Sequence, residues 1–156
     1  MSGRLPDSGS NIEIRYPGLA DYLSTWQAMK AFTASRGENT PDEIWLLQHP
    51  PVYTQGVAGK AEHLLRNDGI TVIRTDRGGQ ITYHGPGQII AYLLLNMRHR
   101  KLGVRELVRK MEDAVIDLLQ DYRIAAEGRA DAPGVYVDGA KIAALGLKIK
   151  SGCCYH

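Results

Sequence analysis

The stretch from Arg77 to Gln88 constrains the fold of this sequence most strongly, because glycine turns enclose a four-residue run that is typical of a short strand. Gly78-Gly79 precedes this run and Gly85-Pro86-Gly87 follows it. Turns so rich in glycine allow the backbone to approach a ligand closely. The spacing predicts a tight hairpin that continues into an apolar strand over residues 89–95. A tight β-meander with polar residues on the surface is the alternative interpretation. The five polar side chains around the hairpin are Arg77, Gln80, Thr82, His84 and Gln88.

Composition and charge narrow the class of protein. Of the 156 residues, 44% are apolar and 23% are charged, which is typical of a soluble globular domain with a sizeable core. The net charge of +2 is too small to favour a nucleic-acid partner, although it is compatible with an acidic protein partner. No apolar run reaches membrane-spanning length, and the first residues contain no apolar signal core. These features predict a cytoplasmic protein that binds neither membrane nor nucleic acid.

The two cysteines offer little chemistry of their own. Cys153 and Cys154 are adjacent, and a bridge between neighbours strains disulfide geometry. The sequence contains no C-x-x-C pair and no His/Cys cluster, which are the patterns that would indicate a metal site. These thiols are the only cysteine nucleophiles that the 156 residues can supply, and no local motif supports that role.

The order of patterns along the chain predicts an α+β fold. Polar residues at 1–10 predict a loose tail, and residues 11–156 are predicted to form a single domain with helices packed on a mixed or mostly antiparallel sheet. Asp138-Gly139 is a strong hairpin signal, followed by a return strand over 140–150. The first strand is predicted at 12–16 and is predicted to break at Pro17-Gly18. Further strands are predicted at 43–47, 52–54, 70–74 and 135–137, and helical segments at 19–34 and 61–66.

A long helix is predicted after the apolar strand, from residue 104 onward. Apolar residues recur there at i, i+3 and i+4, with charged residues on the other faces. Such a stripe predicts a helix whose apolar side faces the core. The stripe comprises Val104, Leu107, Val108, Met111, Val115, Leu118 and Leu119.

Lys141 is the most informative charged residue of the return strand. Side chains alternate between the two faces of a strand, so Lys141 is in phase with Leu145, Leu147 and Ile149. This phase predicts an inward lysine, and desolvation would favour its neutral form and its use as a general base. A lysine at the hairpin end whose ammonium reaches water is the alternative.

Other residues carry weaker signals. His84 is a candidate acid, base or oxyanion donor, although a histidine beside a turn is more often structural. His49, which precedes Pro50-Pro51, is less specific still. Arg77-Gly78-Gly79 could cradle an anion, but the stretch lacks the Gly-Lys-Ser/Thr of a P-loop and is not a dinucleotide-binding fingerprint.

Several segments together resemble the lipoyl/octanoyl transferase family. The stretch Arg77-Gly78-Gly79-Gln80-Ile81-Thr82-Tyr83-His84-Gly85-Pro86-Gly87-Gln88, with Tyr92 behind it, is similar to the family signature. The other matching segments are His49-Pro50-Pro51-Val52-Tyr53-Thr54-Gln55-Gly56, Asp138-Gly139-Ala140-Lys141-Ile142-Ala143-Ala144-Leu145-Gly146-Leu147 and Gly152-Cys153-Cys154-Tyr155-His156. The resemblance extends from about residue 43 to the end.

The resemblance implies an α/β, biotin/lipoate protein ligase-like catalytic domain with a mixed sheet. It implies octanoyl transfer from octanoyl-acyl carrier protein to a lysine of lipoyl domains, by way of a cysteine thioester and an activating lysine. The implied acceptors are the lipoyl domains of 2-oxoacid dehydrogenases and the glycine cleavage H protein, and no cofactor is implied.

The resemblance also assigns site residues by position. It makes Lys141 the catalytic lysine. It places the substrate-binding positions at Arg77, Gly78, Gly79, Gln80, Ile81, Thr82, Tyr83, His84, Ala144, Leu145 and Gly146.

One part of the family pattern is missing from these residues. The family's nucleophilic cysteine lies in an Asn-Pro-Cys-Gly-type motif downstream of the segment that contains Cys153. We therefore expect a C-terminally truncated octanoyltransferase in which neither Cys153 nor Cys154 inherits the nucleophile role. The alternatives are an ATP-dependent lipoate–protein ligase and a non-catalytic protein that binds acyl carrier or lipoyl domains.

Overall fold

The computed structural model describes residues 12–156, so the predicted loose tail lies outside the described residues. These residues form two compact units. The first contains residues up to Asn96 together with Leu147–His156, and the second is Met97–Gly146. The single domain predicted over 11–156 stays a prediction. Among the described residues, no helix has the length and apolarity needed to cross a membrane.

A five-stranded mixed sheet dominates the first unit. Its strands are β1 (Ile12–Leu19), β2 (Asp42–Gln48), β6 (Ile90–Asn96), β10 (Lys148–Lys150) and β11 (Cys153–Tyr155). Their order in the sheet is β1-β2-β6-β11-β10. β1 and β2 are parallel, and the other neighbours are antiparallel. β6 is therefore central, with one partner that precedes it in the sequence and one that follows it.

A smaller sheet in the same unit carries the glycine-rich stretch. Its strands are β3 (Val52–Gln55), β4 (Val72–Arg74) and β5 (Ile81–His84), and a 3-10 turn covers Ala61–His63. Their order is β4-β3-β5, with β3 parallel to β4 and antiparallel to β5.

The helix α1 (Tyr22–Ser35) covers the core of this unit. Asp21 caps its N-terminus, because the carboxylate accepts a hydrogen bond from Ser24 N at 2.9 Å. Its buried residues are Tyr22, Thr25 and Met29, which lie on one face at helical spacing. The core that they join comprises Tyr22, Met29, Trp45, Leu47, Val52, Ile90, Tyr92, Leu94 and Tyr155.

The second unit contains α2 and a three-stranded antiparallel sheet. Within it, Glu112 of α2 accepts a hydrogen bond from Gly134 N at 2.9 Å, which ties the helix to the turn before β8. The elements are α2 (Val104–Asp121), β7 (Glu127–Gly128), β8 (Val135–Val137) and β9 (Ala140–Ala143).

The α+β class with a mixed sheet is confirmed, and so is the Asp138-Gly139 hairpin, which joins β8 to β9. The core-facing stripe of α2 is only partly confirmed. Leu107 is buried, whereas Val104 and Leu118 are 47% and 53% exposed. The first strand continues through Pro17-Gly18, which instead causes a shift in its register against β2.

The hairpin predicted around the glycine-rich stretch is wrong. β5 pairs with β3 in the small sheet, whereas β6 pairs with β2 and β11 in the large one. The turn between them is anchored on the large sheet, because Gly87 N donates to Gln48 Oε1 at 2.7 Å. Gly87 has a φ of +92°, a conformation that glycine adopts without strain. The chain therefore crosses from one sheet to the other at this turn.

The single return strand predicted over 140–150 is also wrong. β9 ends at Ala143, and the next strand, β10, begins at Lys148 in the five-stranded sheet. The two pieces have different partners, since β9 pairs with β8 and β10 pairs with β11. The alternation of side chains along β9 therefore cannot be extended to Leu145 or Ile149, and it does not tell whether a residue of β9 lies on the same face as they do.

Leu94 tests the position of the core. This side chain is fully buried on the central strand β6, so Leu94→Ala should lower the free energy of unfolding by about 2–5 kcal/mol. The matched control is Leu65→Ala, at a leucine that is 94% exposed, which should change it by less than about 0.5 kcal/mol. Urea denaturation measures both, and equal effects would contradict the assigned core.

Candidate active site

Five aromatic and imidazole rings of the first unit pack together, and we call them the His–Tyr cluster. Tyr22 lies 5.2 Å from His49 and 6.2 Å from His84, measured between ring centroids. Tyr92 lies 5.8 Å from His49 and 5.3 Å from His156. The rings come from the start of α1, the ends of β2 and β5, the middle of β6 and the residue after β11. The fold therefore gathers side chains from five separate elements.

His49 is a neutral member of the cluster, and each of its ring nitrogens makes a hydrogen bond. Its Nδ1 lies 2.6 Å from the carbonyl oxygen of Ala20, which can only accept, so Nδ1 carries the proton. Its Nε2 then accepts from the Tyr92 hydroxyl at 2.8 Å. Burial lowers the pKa of His49 and so supports this neutral form.

His156 and Tyr22 form a second bonded pair, between the imidazole Nε2 and the phenol hydroxyl. Burial, followed by the positive charge of Arg77, lowers the pKa of His156 to about 3. Burial also raises the pKa of both Tyr22 and Tyr92. At neutral pH the cluster consequently consists of uncharged rings.

Asp76 supplies a negative charge beside these rings. Its carboxylate accepts hydrogen bonds from the Tyr155 hydroxyl at 2.6 Å and from Trp26 Nε1 at 3.2 Å. Although burial opposes its charge, hydrogen bonds from Tyr155 and Trp26 lower the pKa of Asp76. In the part of the chain that the structure describes, no group of three His, Cys, Asp or Glu side chains is arranged to hold a metal ion.

Arg77 organises the glycine-rich stretch from inside. The side chain is buried, and Nη2 donates to the carbonyl oxygens of Thr54 and Gln80 at 2.7 and 2.9 Å. Nη1 donates to the carbonyl oxygen of Gly78 at 2.7 Å. A Cβ placed on Gly56 would lie 2.4 Å from the carbonyl oxygen of Gly79, so the chains meet here at a distance that only glycine allows. The glycines were predicted to let the backbone approach a ligand closely. At Gly56 the close approach is instead between two segments of the protein's own backbone.

The predicted substrate-binding residues fall in both units. Within the first unit, Arg77 is buried, His84 is half-buried in the His–Tyr cluster, and Tyr83 is 44% exposed. Gly79 and Gln80 are exposed, while Gly78, Ile81 and Thr82 are half-buried. The second unit carries Lys141, Ala144, Leu145 and Gly146.

The inward orientation predicted for Lys141 is wrong. The residue is exposed, and its Nζ donates to the carbonyl oxygen of Pro133 at 3.2 Å. It also lies 5.4 Å from the ring centroid of Tyr136, its pairing partner across the hairpin. The prediction failed because β9 ends at Ala143, before the apolar residues that set the assumed phase.

The two cysteines belong to the core of the five-stranded sheet. Both are buried in β11, and Cys154 Sγ donates to the carbonyl oxygen of Leu93 at 3.2 Å. Burial raises the pKa of the Cys154 thiol to about 11. A thiolate nucleophile is therefore disfavoured at Cys154.

Sequence reasoning found His84 but missed most of the His–Tyr cluster. Tyr22 carried no signal, His49 was a weak candidate, and Tyr92 and His156 entered only as members of family-like segments without a role. The available signal was positional. His49 lies two residues after the strand predicted at 43–47, and Tyr22 lies within the first turn of the helix predicted at 19–34. The ends of such elements are where site residues often lie.

Comparison with known proteins identifies the sequence class. Residues 21–156 match the lipoyl protein ligase A/B catalytic domain. Over 147 residues the chain is 78% identical to an octanoyltransferase of Nitrosospira multiformis, covering 94% of this chain and 68% of that protein. Over 145 residues it is 66% identical to an octanoyltransferase of Nitrosomonas europaea, covering 93% of this chain and 71% of that protein. The chain thus spans about two thirds of the length of these relatives.

Solved structures confirm the ligase-like fold. A bipartite lipoate protein ligase from Thermoplasma acidophilum superposes with a TM-score of 0.66 at 16% identity, over 90% of this chain and 58% of that one. A lipoate-protein ligase A bound with ATP gives a TM-score of 0.65 at 15% identity, over 90% of this chain and 63% of that one. At such low identity the likeness concerns the fold alone.

The neutral histidines predict how stability depends on pH. The pKa of His49, His84 and His156 is lowered in the folded state, so the unfolded chain binds more protons below its own histidine pKa of about 6.5. Stability should therefore fall as pH decreases from about 6.5 to 4.5. His156, whose folded pKa is about 3, should contribute about 1.4 kcal/mol per pH unit, and His49 and His84 should contribute in the same direction. Urea unfolding at several pH values measures this slope.

A pair of variants assigns the slope to the cluster. His156→Gln should reduce it by about 1.4 kcal/mol per pH unit, since one proton-linked group is lost. His63→Gln alters a histidine of the 3-10 turn that is not a cluster member and should leave the slope unchanged. A stability that stays constant or rises on acidification would contradict the neutral cluster.

Proposed function

The chain belongs to the lipoyl protein ligase A/B catalytic domain family, and we propose that it acts as an octanoyltransferase in protein lipoylation. The observation that carries this proposal is the 78% identity to an octanoyltransferase across nearly the whole chain. The His–Tyr cluster adds physical support. An apolar acyl chain is best bordered by groups that carry no charge, because a buried unpaired charge is costly, and burial keeps these rings neutral.

The proposed reaction has two acyl-transfer steps. A cysteine thiolate attacks the octanoyl thioester of acyl carrier protein, which forms an enzyme thioester and releases the carrier thiol. The amine of a lipoyl-domain lysine then attacks that thioester, which forms the amide and regenerates the cysteine thiol. Lys141 is the proposed base: it takes the proton from the cysteine thiol and returns it to the leaving carrier thiolate, and it later takes a proton from the incoming amine and returns it to the leaving cysteine thiolate.

The remaining assignments belong to the same proposal. The stretch from Arg77 to His84 and the residues Ala144, Leu145 and Gly146 border the acyl group. The acceptors are the lipoyl domains of 2-oxoacid dehydrogenases and the glycine cleavage H protein. The location is the cytoplasm.

We propose that neither Cys153 nor Cys154 accepts the octanoyl group. Both thiols are buried in β11, and a donor thioester must reach the sulfur to react. The hydrogen bond from Cys154 Sγ to Leu93 and its raised pKa further reduce its reactivity. The thioester cysteine would then be that of the family's Asn-Pro-Cys-Gly-type motif.

Intact mass spectrometry tests the assignment of the thiol. After incubation with octanoyl-acyl carrier protein, the 156-residue chain should show no stable increase of one octanoyl group on either cysteine. A Cys153→Ser/Cys154→Ser variant provides the control for acylation elsewhere. An octanoyl group mapped to Cys153 or Cys154 would refute the assignment, and adenylate formed with ATP would instead indicate a ligase.

The role of Lys141 predicts a selective loss of transfer. In a form of the protein that includes the Asn-Pro-Cys-Gly-type motif, Lys141→Ala should lower the transfer rate by about 10²-fold or more, as is typical when a general base is removed. Lys150→Ala, which removes an exposed lysine of β10, is the matched control and should retain the rate. Octanoylation of a lipoyl domain, followed by mass, measures both. Equal rates for the two variants would exclude Lys141 as the base.

A further inference from the structure

The guanidinium of Arg77 donates hydrogen bonds to other groups of the protein. Each of its three nitrogens donates to a neighbouring loop or strand, and the acceptors are three main-chain carbonyl oxygens and one hydroxyl. The hydroxyl is that of Thr54, which lies 2.7 Å from Nη2 and 3.3 Å from Nε. This use of the side chain differs from the substrate contact implied by family resemblance.

The bond from Arg77 fixes the proton of Thr54. Arginine has no acceptor, so the Thr54 oxygen accepts from both Nε and Nη2, which occupies its two lone pairs. Thr54 is fully buried, and its hydroxyl proton is left for the other neighbour of the oxygen, which is His84 Nε2 at 3.2 Å. His84 Nε2 therefore accepts and carries no proton.

The opposite side of the ring gives the same tautomer independently. Gln88 Nε2 donates to the carbonyl oxygen of Tyr83 at 3.2 Å, which turns the amide oxygen of Gln88 toward His84. That oxygen lies 2.7 Å from His84 Nδ1 and can only accept, so Nδ1 must carry the proton. The hydrogen bonds at both ring nitrogens thus agree on one arrangement.

We infer that Arg77 and Thr54 are positioning residues that hold His84 as its Nδ1–H tautomer, with both ring nitrogens occupied. His84 then acts as a fixed wall of the site and not as a proton carrier. Its ring stacks on Tyr22 at an interplanar angle of 9°, so the same chain of bonds also orients the Tyr22 ring. The inference rests on the proposed function only in taking His84 to border the acyl group.

Nitrogen NMR of the histidine side chains tests the inference on the whole 156-residue chain at neutral pH. His84→Gln identifies the signals of His84 by their absence. In the unaltered protein, His84 should show a protonated Nδ1 and a non-protonated Nε2. A protonated Nε2 would overturn the inference before any further variant is made, and this result does not depend on whether the protein transfers octanoyl groups.

Variants of Thr54 test whether its hydroxyl fixes the tautomer of His84. Thr54→Val keeps the side-chain shape but removes the hydroxyl, so the two nitrogen shifts of His84 should move toward each other as the tautomers mix. Thr54→Ser keeps the hydroxyl and should retain the original shifts. Thr82→Val makes the same substitution at the residue paired with Thr54 across the sheet and should also retain them. Unchanged shifts in Thr54→Val would refute the role of Thr54.

A double variant tests whether Arg77 acts through Thr54. Arg77→Lys should move the His84 shifts in the same direction as Thr54→Val, because the fork that orients the hydroxyl is lost. In the Thr54→Val background, Arg77→Lys should add no further change. An additive change would show that Arg77 reaches His84 by another route. Failure of octanoyl transfer by a form of the protein that includes the Asn-Pro-Cys-Gly-type motif, with an intact His84 tautomer, would refute the proposed function and leave this inference standing.

Discussion

The buried guanidinium of Arg77 is the interaction on which the first unit most depends. It bonds β3 to the loop before β5, and so holds two strands of the small sheet in place. Burying a cation is costly, and here carbonyl dipoles and a hydroxyl take the place of water. The same charge helps to lower the pKa of His84 and His156 after the larger effect of burial. One side chain thus serves both the geometry and the electrostatics of the site.

The His–Tyr cluster combines polarity with neutrality. Its polar atoms are bonded either within the cluster, as in the His49–Tyr92 pair, or to neighbours, as His84 is to Thr54 and Gln88, so the rings can be buried at little cost. The charged groups beside the cluster include Arg77 and Asp76, and each of these is held by its own hydrogen bonds. Such an arrangement suits a site for an acyl chain, because the walls stay rigid and uncharged.

Local sequence patterns predicted the elements well and their partners poorly. β2, β3 and α1 were located to within a few residues, because alternation and helical spacing are local properties. The crossing between β5 and β6 was missed, since it depends on the bond from Gly87 to Gln48 on a distant strand. Lys141 was misplaced for the same reason. Its face depended on where β9 ends, and pairing with β8 decides that. The cluster was missed because five elements converge only in the folded chain.

The position of β6 in the sheet has a consequence for synthesis of the chain. One edge of this strand pairs with β2, which is synthesised before it. The other edge pairs with β11, which is synthesised only after the whole of Met97–Gly146. A nascent chain therefore exposes an unpaired, apolar strand edge until β11 emerges. Unpaired edges of this kind promote association between chains. The time at which β11 emerges thus governs how long the growing protein is exposed to misassembly.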